Sequence, residues 1–129
     1  MPYTITTIKL PSSASCVRMA GNGVISKEDA EHALTIVGRR GSMFGAPILL
    51  LTQQMKSLSK EARALYATNF DSGDDMPWCG VVVTNPLIRV AANFISRASG
   101  YNKLKMFSTE AETVRWLDER ARADAAKAT

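Results

Sequence analysis

Apolar and polar positions change period several times along the chain, and each change marks an element. Residues 4–10, 47–52 and 78–83 bunch β-branched and apolar side chains between turn formers, which predicts strands. Residues 16–20 and 103–107 carry a weaker form of the same signal. Residues 4–10 and 16–20 flank Pro11-Ser12-Ser13-Ala14-Ser15, so the chain should open with an antiparallel hairpin. Ile48-Leu49-Leu50-Leu51 and Val81-Val82-Val83 are apolar on both faces, the pattern of parallel strands covered by helices on each side. These two should form the middle of the sheet.

Between the strands the period lengthens to that of a helix at four places. Over residues 26–40, Ala30, Ala33, Leu34 and Val37 share one face, with Ser26 as N-cap and Asp29 three residues on. Over 59–70, Ala62, Leu65, Tyr66 and Phe70 form the inward stripe behind Ser59, and Asp71-Ser72-Gly73 ends the helix. Residues 85–100 open with Asn85-Pro86, an N-cap followed by proline in the first turn, and carry Leu87, Val90, Ala91, Phe94, Ile95 and Ala98 on to Gly100. The last helix begins at Ser108 or Thr109, where Thr109 and Glu112 suit a capping box, and turns Val114, Leu117 and Ala121 inward. Past Arg122 the Ala, Asp and Lys residues should fray. The expectation is one α/β domain over residues 3–122, with a central mixed sheet of about five strands, an N-terminal hairpin and four helices, then a frayed tail over 123–129. Strand and helix alternate after the hairpin, which calls for parallel strands joined by right-handed crossovers.

Length and composition agree with one core: 129 residues are 46% hydrophobic. Sixteen basic residues face twelve acidic ones for a net charge of +4, interspersed with no block of either sign. The cations are spread over several elements with few aromatics among them to stack bases, so no nucleic-acid partner is expected. The longest purely apolar run, residues 46–51, is too short to span a bilayer, and residues 1–10 lack the pattern of a signal peptide. The expectation is a cytoplasmic protein without stable membrane insertion. Cys16 and Cys79 each sit in an apolar stretch outside any paired motif and read as reduced core thiols.

Catalytic or metal chemistry has little to work with. His32 is the single histidine and has no second to complete a metal site. Asp71, Asp74 and Asp75 cluster without the later ligands and closing glutamate of a calcium loop, so they read as a helix end and a solvated turn. The basic, glycine-rich stretch from Gly38 to Gly45 follows a helix, whereas phosphate-binding loops follow a strand. No catalytic residue, metal or cofactor is expected.

The order of elements resembles the STAS domains, the family named for sulfate transporters and anti-sigma-factor antagonists. Residues 21–33 are similar to its turn into the first helix, and 48–63 to its central strand, loop and helix cap. More specific are Val81-Val82-Val83-Thr84-Asn85-Pro86-Leu87-Ile88-Arg89 and Lys105-Met106-Phe107-Ser108-Thr109-Glu110-Ala111-Glu112-Thr113-Val114-Arg115-Trp116-Leu117, which resemble the bacterial branch bordering on the lipid-binding Sec14 group. The resemblance implies a single STAS-like domain that binds partners or ligands and is not an enzyme. Antagonist members switch by phosphorylating a serine at the helix after the central strand. Ser59 falls there by position, with Ser57 beside it, although the family's preceding acid and following glycine are missing. Lys56, Lys60 and Arg63 would face a phosphate at that helix start, while an N-cap role also accounts for Ser59.

Two functions follow as expectations. The first is a regulatory protein-interaction module whose partner surface comprises Lys56, Lys60 and Arg63, with Met43 and Phe44 between Gly41 and Gly45 as a mobile apolar pair. Its partner would be another protein or a second copy in a homodimer. The alternative is a carrier or sensor of a small hydrophobic, lipid-like ligand held beside the second and third helices by Tyr66, Phe70, Trp78, Phe94 and Ile95, with Tyr101 nearby.

Overall fold

The computed structural model describes residues 2–128. The chain runs β1 (Tyr3–Lys9), β2 (Ser15–Ile25), α1 (Lys27–Val37), β3 (Ile48–Leu58), α2 (Lys60–Asn69), β4 (Cys79–Val82), α3 (Pro86–Ser99), β5 (Leu104–Phe107) and α4 (Glu110–Ala128). The five strands lie in sequence order, β1 antiparallel to β2 and every later pair parallel. The mixed five-stranded sheet, the opening hairpin and the four helices are as the sequence predicts.

Right-handed crossovers between successive neighbours send each connecting helix to the same face of the sheet. Helices α1, α2 and α3 therefore pack side by side on one face, and α4 returns across β3, β4 and β5 on the other. Alternating side chains feed the two layers. Ile48, Val81 and Val83 join the core under α1–α3, while Leu49, Leu51 and Val82 meet Leu117 of α4.

The caps follow from the sequence. Ser26 and Asp29 form a reciprocal box, the Ser26 amide donating to Asp29 Oδ2 at 2.8 Å and the Asp29 amide to Ser26 Oγ at 3.2 Å. Asn85 Oδ1 accepts from the Leu87 amide at 2.9 Å, and its Nδ2 donates to the Lys56 carbonyl at 3.2 Å. That second bond ties the start of α3 to the end of β3. Gly100 closes α3 in the left-handed region, at φ 74°.

Three boundaries differ from the sequence reading. β2 continues through residues 21–25, read as a turn, and β3 through 53–58, because the two strands go on pairing beyond the hairpin. Two register shifts accompany this extension, at Ala20/Asn22 and Gly23/Val24. Gly21 is pressed against Met55 so closely that a Cβ would come 2.4 Å from its sulfur, and Gly23 takes a φ of +69°. Glycines that look like turn formers here serve a bulged strand. α4 also runs on to Ala128, past Arg122, and Trp78 Nε1 donates to Asp124 Oδ2 at 3.0 Å. Thr129 lies outside the described residues.

Asp118 fastens the hairpin loop to α4: Oδ1 accepts from the Ser12 amide at 2.9 Å and Oδ2 from Arg122 Nε at 2.8 Å. Ser12 foremost, then Arg122, hold its carboxyl down at about 2. The unfolded carboxyl titrates near pH ~3.9, so this contribution is present above about pH 4 and is lost as pH falls through about 2. Asp118→Asn should lower the urea midpoint near pH ~6 and lose less on acidification than the native chain; equal acid sensitivity would contradict the role. At Gly80, which has no room for a side chain, a Cβ would come 2.4 Å from Thr113 Cγ2 of α4. Gly80→Ala should cost about 1–3 kcal/mol in urea unfolding, and an unchanged midpoint would show that α4 gives way freely.

Candidate functional site

A cavity of about 80 Å³ lies between the sheet and the α1–α3 layer. Met19 of β2 and Ile48, Leu50, Thr52 and Met55 of β3 form its floor, and Tyr66 of α2 with Ile88, Ala92 and Ile95 of α3 face them. The inward positions of α3 place an alanine between two isoleucines, which leaves space in the middle of the helix. Tyr3, Phe70 and Tyr101 also line the wall. The Phe70 ring centroid lies 5.2 Å from Tyr101 and 6.3 Å from Tyr66, joining the three aromatics into a chain of tilted rings.

The lining contains no charged side chain. Its four hydroxyls are engaged locally. Thr52 Oγ1 donates to the Val82 carbonyl at 2.6 Å, the Tyr101 hydroxyl donates to the Pro77 carbonyl, and the Tyr3 and Tyr66 hydroxyls lie 2.8 Å apart. Burial pushes the Tyr3 phenol up to about 12 and raises Tyr66 and Tyr101 as well. It also pushes the Cys79 thiol up to about 12. All five polar side chains on the wall are therefore neutral at physiological pH.

Of the five side chains expected to form an apolar pocket, the structure brings together Tyr66, Phe70 and Ile95. Trp78 precedes β4 and turns to the α4 side. It meets Trp116 edge-on at 5.7 Å, with Lys103 and Arg120 at 5.2 and 5.3 Å from its ring. Phe94 points outward and is 51% exposed, with the Arg63 guanidinium 5.8 Å from its ring. Tyr3, Met19, Thr52 and Met55 line the wall without having been singled out from the sequence. Period-two alternation could place them on one face of their strands, but both faces of this sheet are covered, so alternation does not say which face holds the space.

The expected partner surface divides in two. Ser59 caps α2, its Oγ accepting from the Ala62 amide at 3.0 Å, and Ser57 lies in the last turn of pairing of β3. Lys56 and Lys60 are exposed there, while Arg63 is half-buried. Met43 and Phe44 precede β3 instead, so the length of an 11-residue strand, roughly 35 Å, separates them from Ser59. Both are half-buried against the core, and Arg39 lies 5.7 Å over the Phe44 ring, so they form part of the packed layer. Arg39 in turn pairs with Asp71 at 2.9 Å and Asp75 at 2.6 Å, which gives two of the three clustered acids a structural partner. Leu87, Val90 and Phe94 form an exposed stripe along α3, at helical spacing and 64%, 63% and 51% accessible.

Among the described residues no group of three or more His, Cys, Asp or Glu side chains could hold a metal ion, and no helix is long and apolar enough to cross a membrane. No protein-family model and no curated protein matches the chain. Among solved structures, it is similar to the crystal structure of an uncharacterized protein of the DUF3478 family with a SpoIIAA-like fold, from Shewanella loihica PV-4. The superposition has a TM-score of 0.61 at 14% identity and covers 89% of this chain and 93% of that one. The fold is thus the SpoIIAA-like, STAS-like α/β fold that the order of elements resembles.

Ser59→Ala should lower stability by about 1 kcal/mol through loss of the cap, while Ser59→Asp should hold it within a few tenths. Equal urea midpoints for all three proteins would show that the cap contributes nothing.

Proposed function

We propose that this SpoIIAA-like domain is a non-catalytic binding module that takes a small apolar molecule into the cavity between the sheet and helices α2 and α3. The observation that carries the reading is the cavity's lining, which is aliphatic and aromatic with only neutral polar groups. A space of this character stays dry, because a water placed there would find too few partners, and so it offers contact to an apolar guest. At about 80 Å³ it is well below the several hundred Å³ of a drug-sized pocket, so the guest is a molecule of a few heavy atoms. Binding without chemistry is supported by the protonation state of the wall. Cys79 and the three phenols are raised by burial, which leaves no ionised base or nucleophile at neutral pH. We assign the domain to the cytoplasm, where the free, buried thiols of Cys16 and Cys79 would stay reduced.

A second reading, a regulatory module that docks a protein or a second copy of itself, is supported by the exposed stripe of Leu87, Val90 and Phe94 beside Arg63 and the capped start of α2. In this reading a phosphate on Ser59 would sit at a helix N-terminus near Lys60 and Arg63, where its charge is favourable. The surface and the cavity are on opposite sides of α3, so the two functions are separable by substitution.

The test uses protein carrying labelled methionine methyls, titrated with isohexane and followed by NMR. The Met19 and Met55 methyls should shift and saturate, while Met43 and Met106, which pack on the core but do not line the cavity, should move less. Ala92→Leu, which fills the space, should abolish the shifts; saturation in that variant, or no shift in the native protein, would contradict the cavity reading. For the second reading, sedimentation should show concentration-dependent association that Phe94→Asp removes without altering the isohexane titration. A monomer at all concentrations would exclude the homodimer.

A further inference from the structure

The net charge of the chain is concentrated on one part of its surface. Residues 56–69 and 86–99, which end β3 and form α2 and α3, carry Lys56, Lys60, Arg63, Arg89 and Arg97 against the single acid Glu61. The remaining residues hold eleven basic and eleven acidic side chains, so the whole net charge of +4 belongs to these two stretches. Several cations elsewhere are paired with carboxylates, as Arg18 is with Glu110, Arg39 with Asp71 and Asp75, and Arg122 with Asp118. Among the described residues none of the five cations of this face makes an ion pair.

The same cations border the apolar row of α3. Leu87, Val90 and Phe94 follow one another at spacings of three and four, and each exposes more than half of its surface. Arg97 prolongs the row three residues beyond Phe94, Arg89 is exposed beside Val90, and the Arg63 guanidinium reaches from α2 to 5.8 Å from the Phe94 ring. The Asn85 bond to the Lys56 carbonyl brings Lys56 to the start of α3, and Lys60 opens α2. No acid stands on α3 itself.

An occupant of this face must be anionic and must also accept apolar side chains that project from a helix. A second copy docked face to face would set the same unpaired cations against themselves. Nucleic acid supplies phosphates but no apolar medium, and Arg63 already lies over the one ring of the row. An acidic protein segment would match the charge but would need a hollow shaped to the row. A bilayer with anionic headgroups meets both requirements without a fitted shape. We propose that the α2–α3 face docks the domain reversibly on an anionic lipid surface, the apolar row entering the interface and the five cations meeting the headgroups. No helix inserts, because α3 keeps Ile88, Ala91, Ala92 and Ile95 in the domain's own core and offers only its outer side chains. The docking does not depend on whether the cavity takes a guest, since the cavity lies on the other side of α3.

Co-sedimentation with vesicles is the test. At about 0.1 M salt the native protein should pellet with vesicles of equal parts phosphatidylcholine and phosphatidylserine and stay in solution with phosphatidylcholine alone; at about 1 M salt, where the Debye length falls from about 10 to about 3 Å, it should be released. Arg89→Gln and Arg97→Gln should each weaken binding about fivefold, the worth of one cation at an anionic surface, and Phe94→Ala should weaken it roughly tenfold. All three positions are exposed, so the urea midpoints of these variants should stay near that of the native protein. Arg115→Gln combined with Lys127→Gln removes two charges from α4, on the opposite face of the sheet, and should leave binding within about twofold. A native protein that stays in solution with the mixed vesicles, pellets as well with phosphatidylcholine alone, or loses as much from the α4 substitutions as from those on α3 overturns the proposal. Self-association that Phe94→Asp removes would give the row to a second copy and overturn it as well.

Discussion

The handedness of the β–α–β crossover governs the asymmetry of this molecule. When parallel strands are laid down in strict sequence order, each right-handed crossover sends its helix to the same side of the sheet. β2 through β5 are in that order, so α1, α2 and α3 share one face, and the other is left to α4. A sheet whose strand order reversed part-way would have divided its helices and opened a crevice at the point of reversal, where ligands of many α/β proteins bind. This sheet has no such point. Its unfilled space lies instead inside the thicker layer, between strands and helices.

That location decides the chemistry available. Three helices packed over a twisted sheet must match their side chains to its surface, and on α3 the inward row passes from Ile88 through Ala92 to Ile95. The short residue leaves a gap that Tyr66, Phe70 and Tyr101 border and that no charged side chain reaches. Burial then keeps every titratable group on the wall neutral, so the same packing that forms the space removes ionised groups from it. Several charged groups pair with one another away from the cavity, as with Arg39 and Asp71, Arg18 and Glu110, or Asp118 and Arg122.

Much of the fold was legible because the local signals agree with one another. Asn85-Pro86, the Ser26–Asp29 box and the doubly apolar runs 48–51 and 81–83 each have one reading, and the order of elements led to the STAS-like arrangement. The bulged extension of β2 and β3 was not legible, since Gly21 and Gly23 carry the same local signature in a turn as in a strand pressed against Met55. The site was readable only in part. Tyr66, Phe70 and Ile95 were found from helical periodicity, but Phe94 and Ile95 are neighbours on a helix that is apolar around more than half its girth, and periodicity alone did not separate the buried one from the exposed one. Trp78, just before β4, and Cys79, its first residue, differ in the same way, as successive positions of extended chain point to opposite layers of a sheet covered on both sides. Tyr3 and Tyr66 are 63 residues apart, and nothing in the local pattern of either announces the other.

On the proposed reading the space under α3 is an apolar receptor and not a flaw that closes on its own. Diffraction from crystals held under xenon tests it most directly, since xenon enters dry apolar cavities and is seen by its own scattering. A xenon site bounded by Met55, Tyr66, Ala92 and Ile95 is the expected result. Crystals that take up xenon elsewhere, with ordered water or collapsed side chains in that space, would contradict it.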